Sequence, residues 1–97
     1  MRWFTNGVGP NDDPFVRETR EQLNALDRSI FDAVNRRIDL VARLKRHKDE
    51  HGYSFLDPNR EQEMVEGAVA ANPGPLSDGG LRRLYAELLA LTKREVG

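Results

Sequence analysis

From Phe15 to about Glu50 the chain runs without a proline or a glycine, and this stretch limits the possible folds more than any other feature. Its apolar residues Leu23, Leu26, Ile30, Val34, Ile38, Val41 and Leu44 recur at steps of three and four, the spacing of one helix face. His51-Gly52 supplies the stop, because glycine takes the left-handed turn past a helix end without strain. A helix of about 36 residues spans roughly 54 Å at about 1.5 Å per residue. A 97-residue chain has too little other surface to cover such a stripe. Long periodic patterns of this kind belong to coiled coils or to helices lying along a partner. Length alone argues for a dimer.

The remaining punctuation is equally local. Residues 1–14 hold two Gly, two Pro, two Asn and two Asp and read as a flexible leader, which leaves 15–97 as the domain. Asp12 or Asp13 is placed to cap the long helix, with Pro14 in its first turn. Tyr53-Ser54-Phe55-Leu56 is a connector without a mate for strand pairing. Asp57-Pro58 reads as an N-cap followed by the first helical position, and Met64, Val65, Ala68 and Val69 give that second helix its apolar side. Asn72-Pro73-Gly74-Pro75 ends it. Ser77 or Asp78 then caps a third helix with Leu81, Leu84, Tyr85, Leu88, Leu89 and Leu91 on its apolar face. The expected class is all-α: a three-helix protomer, one helix very long, without strands or repeats.

Composition removes several functional classes. With 15 basic and 16 acidic residues the net charge is −1, so no overall field draws the chain to nucleic acid. Cysteine is absent, which excludes disulfides, thiolate catalysis and Cys-based zinc sites. No apolar run approaches the ~20 residues of a membrane span, and Met1-Arg2-Trp3-Phe4-Thr5-Asn6-Gly7 does not read as a signal peptide. A soluble cytoplasmic protein is the expectation.

Few side chains form a chemical constellation. No glycine-rich phosphate loop, Ser/His/Asp set or Cys/His pair is present. His47 and His51 share a helix face, but they lack an HExxH context and His51 abuts the helix end, so exposed histidines are expected rather than a metal site. Arg43 to Lys48 is basic, yet Asp49 and Glu50 follow directly and stacking aromatics are missing, which counts against nucleic acid. Arg37 and Lys48 lie about 20° apart around a helix and three turns apart along it, so their side chains can converge on one small anion. Arg20 lies roughly 25 Å from Arg37 along the axis and about 100° around it. It reaches the same ligand only from an antiparallel partner helix. The competing reading is a solvated charged face, which suits Arg36, Arg43, Lys45 and Arg46. Asp57, Arg60 and Glu61 read either as a cap with a dipole-favoured acid or as a polar site for a hydroxylated anion.

At this point the chain resembles a known family. Arg20-Glu21-Gln22-Leu23-Asn24-Ala25-Leu26-Asp27, then Asn35-Arg36-Arg37-Ile38-Asp39-Leu40-Val41, is similar to the first helix of the all-helical, type II (AroQ-type) chorismate mutases. Lys45 and Lys48, then Asp57-Pro58 with Arg60-Glu61, continue the pattern in register. Pro73-Gly74-Pro75-Leu76-Ser77-Asp78 before a leucine-rich last helix completes it. Each motif is weak, but the ordered set, covering residues 16–96, is specific.

The resemblance implies an intertwined homodimer with two equivalent sites that isomerise chorismate to prephenate without metal or cofactor, on the route to phenylalanine and tyrosine. It implies that Arg20 of the neighbouring chain and Arg37 bind the two substrate carboxylates. Lys48 contacts the ether oxygen and a carboxylate, and Glu61 with the Asp57 backbone holds the ring hydroxyl. Arg60 supports the polar cluster, and Thr92 stands where the family often has serine. The chain departs from the family at Val96, where a Gln or Glu usually bonds the ether oxygen. Either Glu95 or a shifted last turn substitutes, or the isolated protein is a weak catalyst, or a partner reshapes the C-terminal turn, as in short family members that work in complex with the first enzyme of the shikimate pathway. The same fold also hosts isochorismate pyruvate-lyases and amino-chorismate mutases. A helical regulatory or dimerisation module is the non-enzymatic alternative.

Overall fold

The computed structural model describes residues 9–97, and its helices follow the punctuation of the sequence. A short 3-10 turn, Pro10–Asp12, precedes α1 (Pro14–Glu50), α2 (Pro58–Ala71) and α3 (Asp78–Val96). Among the described residues there is no strand. The leader expected over 1–14 falls partly on residues 1–8, which lie outside the described residues. None of the helices is long and apolar enough to cross a membrane.

Each helix end has a local cause. At the start of α1, Asp13 rather than Asp12 is the cap. Its Oδ1 accepts the backbone N–H groups of Phe15 at 2.8 Å and Val16 at 3.4 Å. At the far end Gly52 adopts φ 71, Gly52 N–H bonds to Asp49 O at 3.3 Å and Tyr53 N–H to Lys48 O at 2.8 Å. That pair of bonds is the Schellman motif, and it satisfies carbonyls the last turn leaves open. Asp57 caps α2 through Arg60 N–H at 3.1 Å, with Pro58 supplying the preset first-turn φ. Asn72 closes the following turn, donating to Leu76 O at 2.7 Å and accepting Gly74 N–H at 3.2 Å. Ser77, not Asp78, caps α3 through Gly80 N–H at 3.0 Å.

The chain divides into two units, residues 1–36 and 37–97. In the described part of the first, the stripe residues Leu23, Leu26 and Ile30 are 52%, 60% and 56% exposed, Phe15 and Phe31 outside the stripe are 74% and 63% exposed, and Val34 is half-buried. In the second, Ile38 and Val41 of α1, Met64, Val65, Ala68 and Val69 of α2, and Leu81, Tyr85, Leu88, Leu89 and Leu91 of α3 are half-buried. Leu84, assigned by spacing to the apolar face of α3, is exposed instead. Thr92 is the single fully buried residue among those described. On the surface of this unit Arg82 of α3 grips Glu66 of α2 with two parallel hydrogen bonds of 2.8 and 2.7 Å.

Candidate active site

The second unit holds a cavity of about 280 Å³, open to solvent on one side, between the C-terminal part of α1, the connector, the start of α2 and the last turns of α3. Periodicity explains which side chains line it. Arg37, Val41, Leu44 and Lys48 follow one another at steps of four, three and four on α1 and lie on one face. Leu89, Thr92 and Lys93 make the corresponding row on α3. Phe55, Leu56 and Asp57 close the third side, and Arg60, Glu61 and Met64 come from the first two turns of α2. Apolar walls with a few convergent charges are the usual make-up of a small-molecule site.

Six of the seven residues singled out from the sequence line this cavity: Arg37, Lys48, Asp57, Arg60, Glu61 and Thr92. The seventh, Arg20, does not. It is an exposed residue of α1, and its guanidinium donates to the Asn11 side chain. Val96 is not among the lining residues either.

Arg37 Nη1 donates to the Thr92 hydroxyl at 2.6 Å, and that hydroxyl donates in turn to Leu88 O at 2.7 Å. The chain of bonds fixes the guanidinium and leaves its other N–H groups for an anion. Lys48 Nζ lies 3.5 Å from Phe55 O, a weak contact that leaves most of its donor capacity free. The Asp57 carboxylate is used as the cap of α2, while Arg60 leans toward Glu63 at 3.8 Å. Lys93 completes the polar set: its Nζ stands 3.0 Å from Glu61 Oε1 and 2.8 Å from Oε2. The lining carries four cationic and two acidic side chains, Arg37, Lys48, Arg60 and Lys93 against Asp57 and Glu61. The surplus of positive charge suits a small dianion.

Lys93 was missed in the sequence. The signal was present, since Lys93 is four residues after Leu89 and interrupts the apolar row of α3, where a charge needs a partner or water. His47 and His51 are both exposed and stack on each other with ring centroids 4.2 Å apart. His51 Nδ1 faces His47 O at 2.8 Å. Among the described residues no cluster of His, Asp or Glu is arranged to hold a metal ion.

Comparison with known proteins bears on the family and the fold. The family model of type II chorismate mutases matches residues 19–96. The 4-amino-4-deoxychorismate mutase of Streptomyces venezuelae is 38% identical over 72 residues, which cover 72% of this chain and 69% of that protein. Two forms of a chorismate mutase from Thermus thermophilus superpose on the fold. Form I is 31% identical with a TM-score of 0.78, over 79% of this chain and 96% of that one. Form II is 30% identical with a TM-score of 0.79, over 81% and 90%.

Proposed function

The chain belongs to the type II chorismate mutase family, and from that premise we propose that the cavity between its helices rearranges chorismate to prephenate. The observation that carries the reading is the convergence of Arg37, Lys48 and Glu61 from two helices on one cavity with surplus positive charge. The reaction is intramolecular, so it requires no nucleophile, proton carrier or redox group. It requires that a dianion be held in its compact reactive conformer and that negative charge growing on the ether oxygen be stabilised.

The side chains suit those two tasks. Arg37, fixed by Thr92, presents a planar fork to one carboxylate. Lys48 places an ammonium at the ether oxygen, and losing one such preorganised donor typically costs ~3–4 kcal/mol of transition-state stabilisation. Glu61 and the backbone at Asp57 hold the ring hydroxyl, and Arg60 supports that polar end. Confining the flexible enolpyruvyl side chain lowers the entropic part of the barrier.

Arg20 enters from a second copy of the chain. The exposed stripe residues Leu23, Leu26 and Ile30, with Phe15 and Phe31 beside them, support an intertwined homodimer, since burying such surface is worth about 25 cal/mol per Å². In that dimer each site draws on both chains. Partnership with the first enzyme of the shikimate pathway is a further proposal, supported by Val96, which has no hydrogen bond to give the ether oxygen. The name of the Streptomyces relative makes the 4-amino-4-deoxy analogue the rival substrate against which chorismate is to be compared.

The test is chorismate consumption by the purified protein and its Lys48→Ala variant, with the product identified by mass and by acid conversion to phenylpyruvate. Prephenate formed well above the spontaneous rate, and lost in the variant, supports the reading. A folded dimer that leaves chorismate unchanged sinks it in favour of a partner-dependent or regulatory module, with isochorismate the next substrate to assay.

A further inference from the structure

Lys93 has no role in the reading given above, yet its part-exposed ammonium reaches both oxygens of Glu61 at the cavity wall, at 3.0 and 2.8 Å. Its partner is the carboxylate proposed to meet the substituent on the substrate ring. We infer that Lys93 is a specificity-determining residue, which clamps Glu61 so that the cavity accepts a ring hydroxyl and rejects an ammonium at the same ring position. The inference rests on the proposed function and extends it to the choice between two substrates.

A lone carboxylate favours an ammonium over a hydroxyl, because opposite charges attract more strongly than a charge and a dipole. Glu61 is not alone. With Lys93 on both oxygens its charge is already matched, and an incoming substrate ammonium would face a second ammonium at close range. Bringing like charges together is an effective structural means of rejecting a wrong partner. A hydroxyl is treated differently. Each carboxylate oxygen has two lone-pair directions, so Glu61 keeps one free to accept an O–H while Lys93 stays in place.

The charge of the whole cavity works in the same direction. Its own side chains carry four cations against two carboxylates, and Lys93 supplies one of the two surplus charges. With the partner chain's proposed arginine the surplus grows further, and a dianionic hydroxy substrate offsets more of it than a substrate carrying a cation. The amino analogue, with its added positive charge, offsets less of it.

Tying α2 to α3 does not explain the pair. Arg82 and Glu66 already join those helices on the outer surface through two hydrogen bonds of 2.8 and 2.7 Å. An apolar side chain at position 93 would also continue the row that Leu89 begins. A cation directed into the cavity is therefore a feature of the site.

The experiment measures kcat/KM and calorimetric affinity for chorismate and for 4-amino-4-deoxychorismate with wild-type protein, Lys93→Met and Lys93→Arg. Wild type is expected to favour chorismate by at least about tenfold, and Lys93→Met to reduce that ratio about tenfold, largely through KM. Lys93→Arg keeps the ion pair and is expected to keep the ratio. A merely structural role lowers both substrates together, so an unchanged ratio in Lys93→Met overturns the inference and leaves the mutase reading intact. Wild-type preference for the amino compound also overturns it. Protein that neither binds nor converts either compound overturns the mutase reading and this inference with it.

Discussion

Arg37 and Thr92 are 55 positions apart in the chain and meet across 2.6 Å, the guanidinium donating to a hydroxyl that itself donates to Leu88 O. Thr92 is 2% exposed, so this contact is shielded from competing water. Thr92→Val keeps the shape of the side chain and removes the acceptor. Hydrogen bonds to charged groups contribute about 1.5–3 kcal/mol, so kcat/KM for chorismate is expected to fall roughly 10- to 100-fold. Thr92→Ser is expected to restore most of it. Steady-state kinetics on the two variants distinguishes a lost bond from a lost shape.

If Arg20 acts across the proposed dimer, two inactive proteins should repair each other. Arg20→Ala and Lys48→Ala are each expected to lose nearly all turnover. Unfolded together and refolded as an equal mixture, they form heterodimers with one intact and one doubly damaged site. About a quarter of the wild-type activity should return, from random pairing of two-fold symmetric chains. A mixture as inactive as its parts argues against sharing of the site.

The exposed stripe gives the same dimer a thermodynamic signature. Wild-type Tm should rise with protein concentration, because association stabilises the folded state by mass action. Ile30→Glu places a charge where Ile30 is 56% exposed in the single chain and, in the proposed dimer, covered. Its expected effect is a shift to monomer in sedimentation and a loss of about 1–1.5 kcal/mol per chain from the newly buried part of the side chain alone.

Glu66 and Arg82 set an acid-side dependence of stability. Hydrogen bonds from Arg82 are the main reason the Glu66 carboxyl titrates below its ordinary value, opposed by desolvation and helped by the guanidinium charge. Arg82 is raised in turn by its hydrogen bonds to Glu66. A lowered carboxyl stabilises the fold fully above the ordinary carboxylate range, and the contribution disappears as pH falls through the lowered value. On the arginine side the loss lies at strongly alkaline pH. Glu66→Gln should therefore flatten the fall of the urea midpoint on acidification and leave turnover at neutral pH unchanged. Both groups face solvent, so the effect is expected to be small and to shrink with salt.

Two glycines differ in what they do. Gly67 lies inside α2 with nothing within 4 Å of an added Cβ, so Gly67→Ala should stabilise the chain by about 0.5–1 kcal/mol. Gly52 also has open space but sits at φ 71, where a side chain strains the backbone. Gly52→Ala is expected to destabilise by about 1–2 kcal/mol. Urea unfolding of both variants reads the difference.

Helices and their ends were legible because their causes are short-range. Asp57, Ser77 and Gly52 act on backbone groups within a few residues, and each performs the terminating task its residue type suggested. The choice between Asp12 and Asp13 was not legible, since either side chain can cap, and only the chain's path into α1 selects Asp13. The shared face of Arg37 and Lys48 followed from helical geometry alone.

The pairing of Lys93 with Glu61 did not follow. Along α3, Lys93 is one step beyond Thr92 and about 100° further around, and nothing in that spacing says which residues of α2 it will meet. Leu84 shows the same limit, belonging by period to the apolar face and standing exposed all the same. The amino-acid order by itself determined three helices, where they end, and an apolar stripe too long for one chain to cover. Which side chains share a cavity, and that a lysine lies against the glutamate there, was settled only by packing. Helix formation depends on contacts three and four residues apart, whereas convergence depends on how whole helices are rotated and crossed.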